Sequence, residues 1–558
     1  MVQKSPYLTR RRVLASGAAI STAAVAGCIG GDGDDGQGNI IDPSEYDYDR
    51  EEPDDEEAAR QSTMEYTQEL ERDEDFDPIH SNDAYSTQVY QLVFDSLYDW
   101  DDGLTLEPKV AVDMPDVERD DTRYIYEIHE GIEFHNGEEM TASDVAHSFM
   151  AFQEEDSVNE AQYDMIESAE VIDDYQVQVD LEHPYGQWEL QTMAISVVPE
   201  SERETESDRE EFNTNPVGSG PFVWSDFEYN EYVTLERNDD YWDDPEPYLE
   251  EITFVDNVDD ASRISEIRAD DTDAIAAVPN DDWSELEGDD DIRVHISESP
   301  SYMHLTFNCR GSAPTSDPDV RRGICHAFSM TDFVETHMNN TAQPLAAPIP
   351  PITNEQWNFP IDEWREEYYP EYDPDRAEEL LDGAVPDDWN PSVLAPGDVR
   401  GDLAERIVTR LDELGYDAEA QTLDFGTLLD RTVYNEDPSP DDFQAYILGW
   451  TGGPDPDAYL YNLYHESQVG VNQAHFYEGS DSFHDDIAKA REMADQDERY
   501  DLYEGVMIEI LEELPSLPAY SEHNTMASRR YVKDLHAHPE VQSNPRIVSG
   551  YGNVWTDN

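Results

Sequence analysis

Lysine is almost missing from this chain: Lys4, Lys109, Lys489 and Lys533 are the only four in 558 residues. With 32 basic residues against 132 acidic ones, the formal charge of -100 disfavours nucleic acid or an anionic lipid surface as a partner. Cysteine is nearly as scarce, at Cys28, Cys309 and Cys325, and no CxxC pair or histidine-rich cluster accompanies them. That spacing argues against a structural zinc site. The longest uncharged apolar stretch, Val13 to Gly27, is short of the roughly 20 residues a membrane-spanning helix needs. Catalytic signatures are also missing: there is no GxSxG elbow, no HExxH and no Walker loop. Among so many carboxylates nothing singles out an acid pair for glycoside hydrolysis. The chain reads as a non-enzyme without a cofactor.

What is present starts with an address. Arg10, Arg11 and Arg12 precede the small and apolar run that ends Val-Ala-Gly-Cys28. This is the charged, apolar and cleavage layout of an export signal. Thr9-Arg-Arg-Arg-Val-Leu14 resembles the twin-arginine signal, with Arg10 and Arg11 as the pair that is read. The closing VAGC resembles a lipobox, which makes Cys28 the lipidated residue of the mature protein. Two acyl chains suffice for stable anchoring. The predicted location is the extracellular face of the cell membrane, with the membrane itself a partner through the anchor.

The acidity is spread among core-forming residues rather than blocked. Aromatics make up 11% of the chain, with 32 Tyr and 10 Trp, which rejects a disordered acidic polymer. At molar salt the Debye length falls to about 3 Å and the surface repulsion is screened. The composition therefore predicts a globular, salt-adapted protein of haloarchaeal type. After Cys28 an acidic, Gly-containing run through residue 62 reads as a flexible spacer. From Thr63 to Trp555 the pattern is globular and too long for one core. Cys309 and Cys325 fall on a predicted strand and the helix after it; a disulfide and two buried thiols both remain open.

Local patterns mix the two periods. Tyr124–His129 alternates as a half-buried strand, and Thr141-Ala-Ser-Asp144 opens a helix with Val145, Phe149 and Phe152 on its apolar face. Residues 170–181 read as a hairpin around Asp173-Asp174, with further strands at Tyr232–Arg237 and Ile252–Val255. Asp373-Pro374 caps a helix that Gly383 ends. Leu403, Ala404, Ile407, Val408, Leu411 and Leu414 make one helical stripe closed by Gly415, with a strand after it. The fold class is α/β in several lobes.

Several segments, in order, resemble the extracytoplasmic solute-binding proteins of family 5, which serve oligopeptide, dipeptide and nickel ABC importers. Leu106-Glu-Pro-Lys-Val-Ala111 is similar to the family's "L-x-P-x-L-A". Tyr124-Ile-Tyr-Glu-Ile-His-Glu-Gly-Ile-Glu-Phe-His-Asn-Gly137 with Met140-Thr-Ala-Ser-Asp-Val-Ala-His-Ser148 is similar to "T-F-x-L-R-x-G-V-K-F-H-D-G-x-x-L-T-A-x-D-V-x-x-S". Asn215-Pro-Val-Gly-Ser-Gly-Pro-Phe222, Leu235-Glu-Arg-Asn-Asp-Asp-Tyr-Trp242, Leu305-Thr-Phe-Asn308 with Asp319-Val-Arg321, and Asp373-Pro-Asp-Arg-Ala-Glu-Glu-Leu-Leu381 match further family motifs.

The resemblance implies a periplasmic-binding-protein-like fold of two α/β lobes around a hinged cleft, with an extra subdomain on the first lobe. It divides the chain into a signal (1–27), the spacer (28–62), lobe I (63–85, 200–298 and 525–558), the extra subdomain (86–199) and lobe II (299–524). It implies capture of an extracellular di- or oligopeptide, or a similar small solute, for ABC permease subunits in the membrane, by a monomer. A sensory receptor of the same fold, and a sugar or nickel-chelate ligand, are the alternatives.

The implied pocket centres on Gly449-Trp450-Thr-Gly-Gly-Pro-Asp-Pro-Asp457, which resembles the family's "G-W-x-x-D-x-x-D-P" loop. Trp450 would line the cleft. The family's aspartate three residues on, which takes a peptide's ammonium group, is replaced by Gly453, and Asp455 is the available substitute. Gly218 and Ser219, in a side-chain-poor turn, and Tyr85 and Tyr302 are further wall candidates. Asn308 and Arg321 are carried over as scaffold, Arg321 on a salt-bridging face. His304 and His326 flank the two cysteines as a minor metal option.

Overall fold

The computed structural model describes residue 43 and residues 50–558, apart from 71–75, 82, 102, 340, 387, 436, 437, 440, 441, 469, 471–473, 475, 476, 551 and 558. Arg10, Arg11, Cys28 and most of the expected spacer lie outside the described residues. All that follows concerns the unit formed by residues 39–558. No described helix is long and apolar enough to cross a membrane.

Caps set the local boundaries. Thr141 and Asp144 form a reciprocal capping box on the helix Ala142–Glu154, whose buried face includes Val145, Phe149 and Phe152. Asp373 accepts the Arg376 amide at the start of Pro374–Leu381, and Gly383 then takes φ +76°. Asp398 caps Val399–Glu413, which buries Leu403, Ala404, Ile407, Val408 and Leu411; Gly415 turns the chain at φ +99° into the strand Glu419–Leu423. The hairpin is longer than its alternation predicts. Its strands are Ile166–Asp173 and Gln176–Leu181, and two register irregularities in the first hide the period. The strand near residue 124 spans Arg123–Glu127 and stops before His129.

Two large sheets define two lobes. The seven-stranded first sheet runs, in spatial order, Ile292–Ser297, Asn524–Arg529, Ala274–Ala276, Thr63–Gln68, Glu251–Asp256, Tyr232–Arg237 and Phe222–Glu228. Thr63–Gln68 is parallel to both of its neighbours. The six-stranded second sheet runs Ala342–Pro344, Ser516–Glu522, Ser301–Phe307, Ala445–Thr451, Ser392–Pro396 and Glu419–Leu423, with its last three strands parallel. A four-stranded sheet, Asp116–Glu118, Arg123–Glu127, Gln176–Leu181 and Ile166–Asp173, forms the extra subdomain with the helix Ala142–Glu154.

The chain crosses between the two large sheets at two adjacent places. Residues 298–300 join Ser297 to Ser301, and His523 joins Glu522 to Asn524. Ser299 Oγ donates to the Glu522 carbonyl (2.5 Å) and Ser521 Oγ to the Ser299 carbonyl (3.2 Å), so the two crossings are tied to each other. Paired crossings of this kind are where a hinge motion bends.

One expectation needs correction here. The predicted flexible spacer is docked over its last part, residues 50–62. Asp55 caps a short helix, Glu56–Ala59, and the Glu51 carboxylate reaches Arg293 (2.8 Å) and Lys533 (3.1 Å). The Glu51 carbonyl accepts Trp555 Nε1 at 2.8 Å. Acidic composition made this stretch look self-repelling, but scarce cations on the first lobe hold it.

Candidate functional site

In the second sheet, Ser392–Pro396 leads outward to Glu419–Leu423 at one edge. Its parallel neighbour Ala445–Thr451 leads through the helices beyond residue 456 to Ser516–Glu522 on the other side. Connections that diverge in this way leave a crevice beyond the carboxyl ends of the two strands, which is where open α/β sheets bind ligands. The residues that emerge there are Gly397-Asp-Val-Arg400 from one strand and Trp450-Thr-Gly-Gly453 from the other. The end of Glu419–Leu423 adds Asp424-Phe425.

Arg400 is the charged centre of this wall. Its Nε and Nη2 bind the Asp398 carboxylate (3.0 and 2.5 Å), while Asp398 also accepts the Arg400 amide at 2.9 Å. Burial works against the Asp398 charge, yet the hydrogen bond and charge of Arg400 hold its carboxyl below the usual range. Burial likewise opposes the Arg400 charge, and Asp398 more than offsets it. Nη1 of Arg400 has no hydrogen-bond partner among the described residues and lies beside Gly449: a Cβ placed there would be 3.9 Å from it. The guanidinium also sits 5.9 Å from the ring of Phe425, which is 53% exposed. Glu522 and Tyr520 share the electrostatic neighbourhood of Arg400. Burial pushes the Glu522 carboxyl up, Arg400 opposing, and the Tyr520 hydroxyl is buried without a hydrogen-bond partner among the described residues.

Trp450 is half-buried against the aromatic cluster of the second lobe, and its Nε1 donates to the Ala458 carbonyl at 2.8 Å. The polar edge of the indole is thereby used within its own loop, which leaves the ring face for contact. The two glycines that follow differ. A Cβ on Gly452 would lie within 2.8 Å of the Tyr459 ring, so the residue must lack one. Gly453 has open space around it and no positive φ, so its identity is not demanded by the fold. Its carbonyl accepts Thr353 Oγ1 at 2.8 Å.

Four candidate residues stand elsewhere than expected. Asp455 is buried, accepts the Asp457 amide (2.9 Å) and pairs with Arg499 (2.7 Å). Its carboxylate is committed to the protein and cannot replace the missing ammonium partner. Tyr302 is fully buried, with its hydroxyl 3.3 Å from that of Tyr464, and belongs to the core. Ser219 is fully buried and donates to Asp95 at 2.9 Å. A Cβ on Gly218 would lie 2.7 Å from the Val93 carbonyl carbon, so this turn exists to pack backbone on backbone inside the first lobe. Tyr85 lies in the first lobe. It is half-buried on the helix Ala84–Tyr90, and its carbonyl accepts Gln68 Nε2 from the carboxyl end of Thr63–Gln68 at 3.2 Å.

The remaining singled-out residues are structural. Cys309 and Cys325 are free thiols, and burial pushes Cys325 up to about 12. Asn308 is buried and donates to the Phe443 carbonyl (3.3 Å). Arg321 is fully buried and donates to the Thr315, Ser316 and Glu513 carbonyls, and its Nη2 also lies 3.8 Å from the Glu513 carboxylate, so it caps backbone in addition to making an ion pair. His304 is buried against Thr306 Oγ1, and His326 Nδ1 meets the Glu371 carbonyl. The described group with metal-ligand spacing is a different one, Asp77, His80 and Glu155, and the buried Arg203 guanidinium already binds both carboxylates (2.7 and 2.5 Å).

Two concavities lie away from the crevice. One of about 270 Å³ inside the first lobe is bordered by Asp95, Lys109, Tyr241, Glu540 and Arg546. A wider surface hollow on the second lobe is bordered by Arg310, Arg321 and Glu513. Sequence reasoning missed Asp398, Arg400 and Phe425. The available signal was a capping Asp followed by one of the few cations, directly after an apolar strand.

Many known proteins share this fold. A family model described as "Bacterial extracellular solute-binding proteins, family 5 Middle" matches residues 105–471. The oligopeptide-binding protein AppA of Bacillus subtilis is 24% identical over 491 residues, covering 83% of this chain and 87% of its own. Its solved structure, in complex with a nonapeptide, superposes with a TM-score of 0.69 at 21% identity over 89% of this chain and all of that one. Di/tripeptide-binding protein 2 of Pseudomonas aeruginosa is 25% identical over 501 residues, 84% of this chain and 91% of its own. The ABC transporter substrate-binding protein CtaP of Listeria monocytogenes gives a TM-score of 0.79 at 18% identity, again over 89% of this chain and the whole of that one.

Proposed function

This chain belongs to the bacterial extracellular solute-binding proteins of family 5, and from that premise we propose that it captures peptides outside the cell and delivers them to the permease of an ABC importer. The named relatives bind oligopeptides or di- and tripeptides, which supports a peptide over a sugar or a metal chelate. The observation that carries the reading is the crevice wall itself. An arginine with one unengaged nitrogen stands beside an exposed phenylalanine, and an indole rises from the neighbouring strand.

In this reading Arg400 Nη1 meets the ligand's carboxylate, Phe425 and Trp450 cover its apolar side chains, and main-chain bonds hold the backbone. Side-chain tolerance follows from backbone recognition. Closure about the paired crossings near Ser299 and His523 buries the solute. At the amino end Gly453 offers no carboxylate, so the ligand's ammonium is not held by the loop. The protein is exported by Arg10 and Arg11, lipidated at Cys28 and held at the outer face of the membrane as a monomer.

Calorimetry in molar potassium chloride tests the ligand chemistry. Short peptides with a free carboxylate should bind at least tenfold tighter than their C-terminal amides, the order of a charge-assisted bond. Arg400→Gln should erase that preference. N-acetylation should change affinity little. Equal binding of acid and amide forms by the native protein would refute the role of Arg400.

A further inference from the structure

We infer that ligand affinity is tuned from behind the binding loop, where the turn Tyr185-Gly-Gln187 of the extra subdomain latches onto the second lobe. The inference rests on the crevice as the ligand site, since it concerns how that crevice is kept closed.

The latch is built on two buried carboxylates. Asp455 and Asp457 follow the Trp450–Gly453 segment and are 4% and 0% exposed. Arg499 pairs with Asp455 (2.7 Å) and Arg491 pairs with Asp457. Burial alone would drive the Asp455 proton on; the Arg499 charge opposes it while Asp457 adds to the rise. Such a group is costly unless every lone pair is used. The extra subdomain supplies the missing donors and covers the cations. Gln187 Nε2 donates to Asp457 at 2.7 Å, and the Gly186 carbonyl accepts Arg499 Nη1 at 3.2 Å. The Gly186 amide donates to the Arg491 carbonyl at 2.8 Å. The Arg491 guanidinium lies between two rings, 4.6 Å from Tyr185 of the subdomain and 4.0 Å from Tyr461 of the second lobe.

Gly186 shows that the fit is specific. Its φ is not positive, so no backbone requirement selects glycine. A Cβ would instead lie 2.8 Å from Arg499 Cζ and closer still to the Met493 carbonyl oxygen. Glycine is demanded by the partner surface alone. A second contact supports the same docking. Gln356 Nε2 reaches the Gly103 carbonyl (3.1 Å) and Thr105 Oγ1 (3.3 Å), and Ile352 packs with Trp100 and Leu104.

The pairs Arg491–Asp457 and Arg499–Asp455 are internal to the second lobe and persist when it swings. In the proposed latch, opening breaks the Gly186 and Gln187 contacts and leaves the buried ionic pairs partly uncovered. Because these contacts join the extra subdomain to the second lobe in the arrangement seen here, the latch weights the open–closed equilibrium toward that arrangement without touching ligand. Apparent affinity scales with the closed fraction. Gly186 and Gln187 are positioning residues.

The test is Gly186→Ala, with Gln187→Ala as a variant that adds no atoms. Small-angle scattering in molar potassium chloride gives the radius of gyration with and without peptide, and calorimetry gives affinity. Both variants should be more expanded than the native protein without peptide and should match it at saturation. Their affinity should fall by about tenfold, within the usual range of coupling between sites. A radius without peptide equal to the native value in both variants overturns the latch, whether or not any peptide binds. An expansion that persists at saturation overturns it too, because it marks damage to the fold. If the native protein binds no peptide, the scattering of the unliganded variants still decides the latch while the peptide reading fails separately.

Discussion

Gly452 and Gly453 are chain neighbours for which alanine should have opposite effects. At Gly452 the new Cβ meets the Tyr459 ring within 2.8 Å. That ring cannot slide away: it is fully buried, and its hydroxyl is held by the Pro300 carbonyl (2.8 Å) and Thr353 Oγ1 (3.1 Å). Overpacking of this kind costs about 1–3 kcal/mol. At Gly453 an added Cβ would have no atom within 4 Å and φ is not positive, so alanine should stabilise by about 0.4–1 kcal/mol through the unfolded chain. Urea unfolding at constant molar potassium chloride, followed by tryptophan emission, should move the midpoint down for Gly452→Ala and slightly up for Gly453→Ala at unchanged slope. Shifts of the same sign and size would refute the steric account of this loop. The open space at 453 also admits Gly453→Asp. By restoring a carboxylate where the family places one, it should favour peptides with a free N-terminus over N-acetylated ones.

Three further outcomes are expected. Trp450→Ala should weaken peptide binding by about 1–3 kcal/mol in calorimetry, as for a buried aromatic anchor, and should also lower the unfolding midpoint, because the ring packs on the second lobe's aromatic cluster and its Nε1 holds the Ala458 carbonyl. Glu540 tests linkage: burial pushes its carboxyl up to about 7. Between the unfolded value of about 4.3 and that point the folded state keeps a proton the unfolded state has lost, so stability falls as pH rises and stays lower above pH 7. Glu540→Gln should remove a loss on the order of 2 kcal/mol, read as the difference between variant and native urea midpoints at pH 5 and pH 8. Replacing Arg10 and Arg11 by Lys should block export, because a guanidinium is not interchangeable with an ammonium; Cys28→Ser should abolish lipid labelling, measured with a radioactive acyl precursor.

The fold was legible where one residue type does one job in its own segment. Asp373 and Thr141 announce helices because a side-chain oxygen caps amides two or three residues on. The crevice was half legible. Trp450 carries a motif, but Arg400 and Phe425 join it only after three separate strands are laid side by side, which no local pattern encodes. Tyr302 and Ser219 were assigned too much, since a buried tyrosine or serine with an internal partner has the same letters as one facing a ligand. Asp455 misled for a related reason: its partner Arg499 is 44 residues away. Gly186 gave no signal at all. Its requirement arises from a surface more than 300 residues along the chain.

Mass spectrometry of the solute released on denaturation, from native protein and Trp450→Ala purified side by side in molar potassium chloride, tests peptide capture in the crevice most directly. The native protein should release peptides, and the variant should release markedly less at equal protein. Release of a non-peptide solute, or equal peptide loads from both proteins, would contradict it.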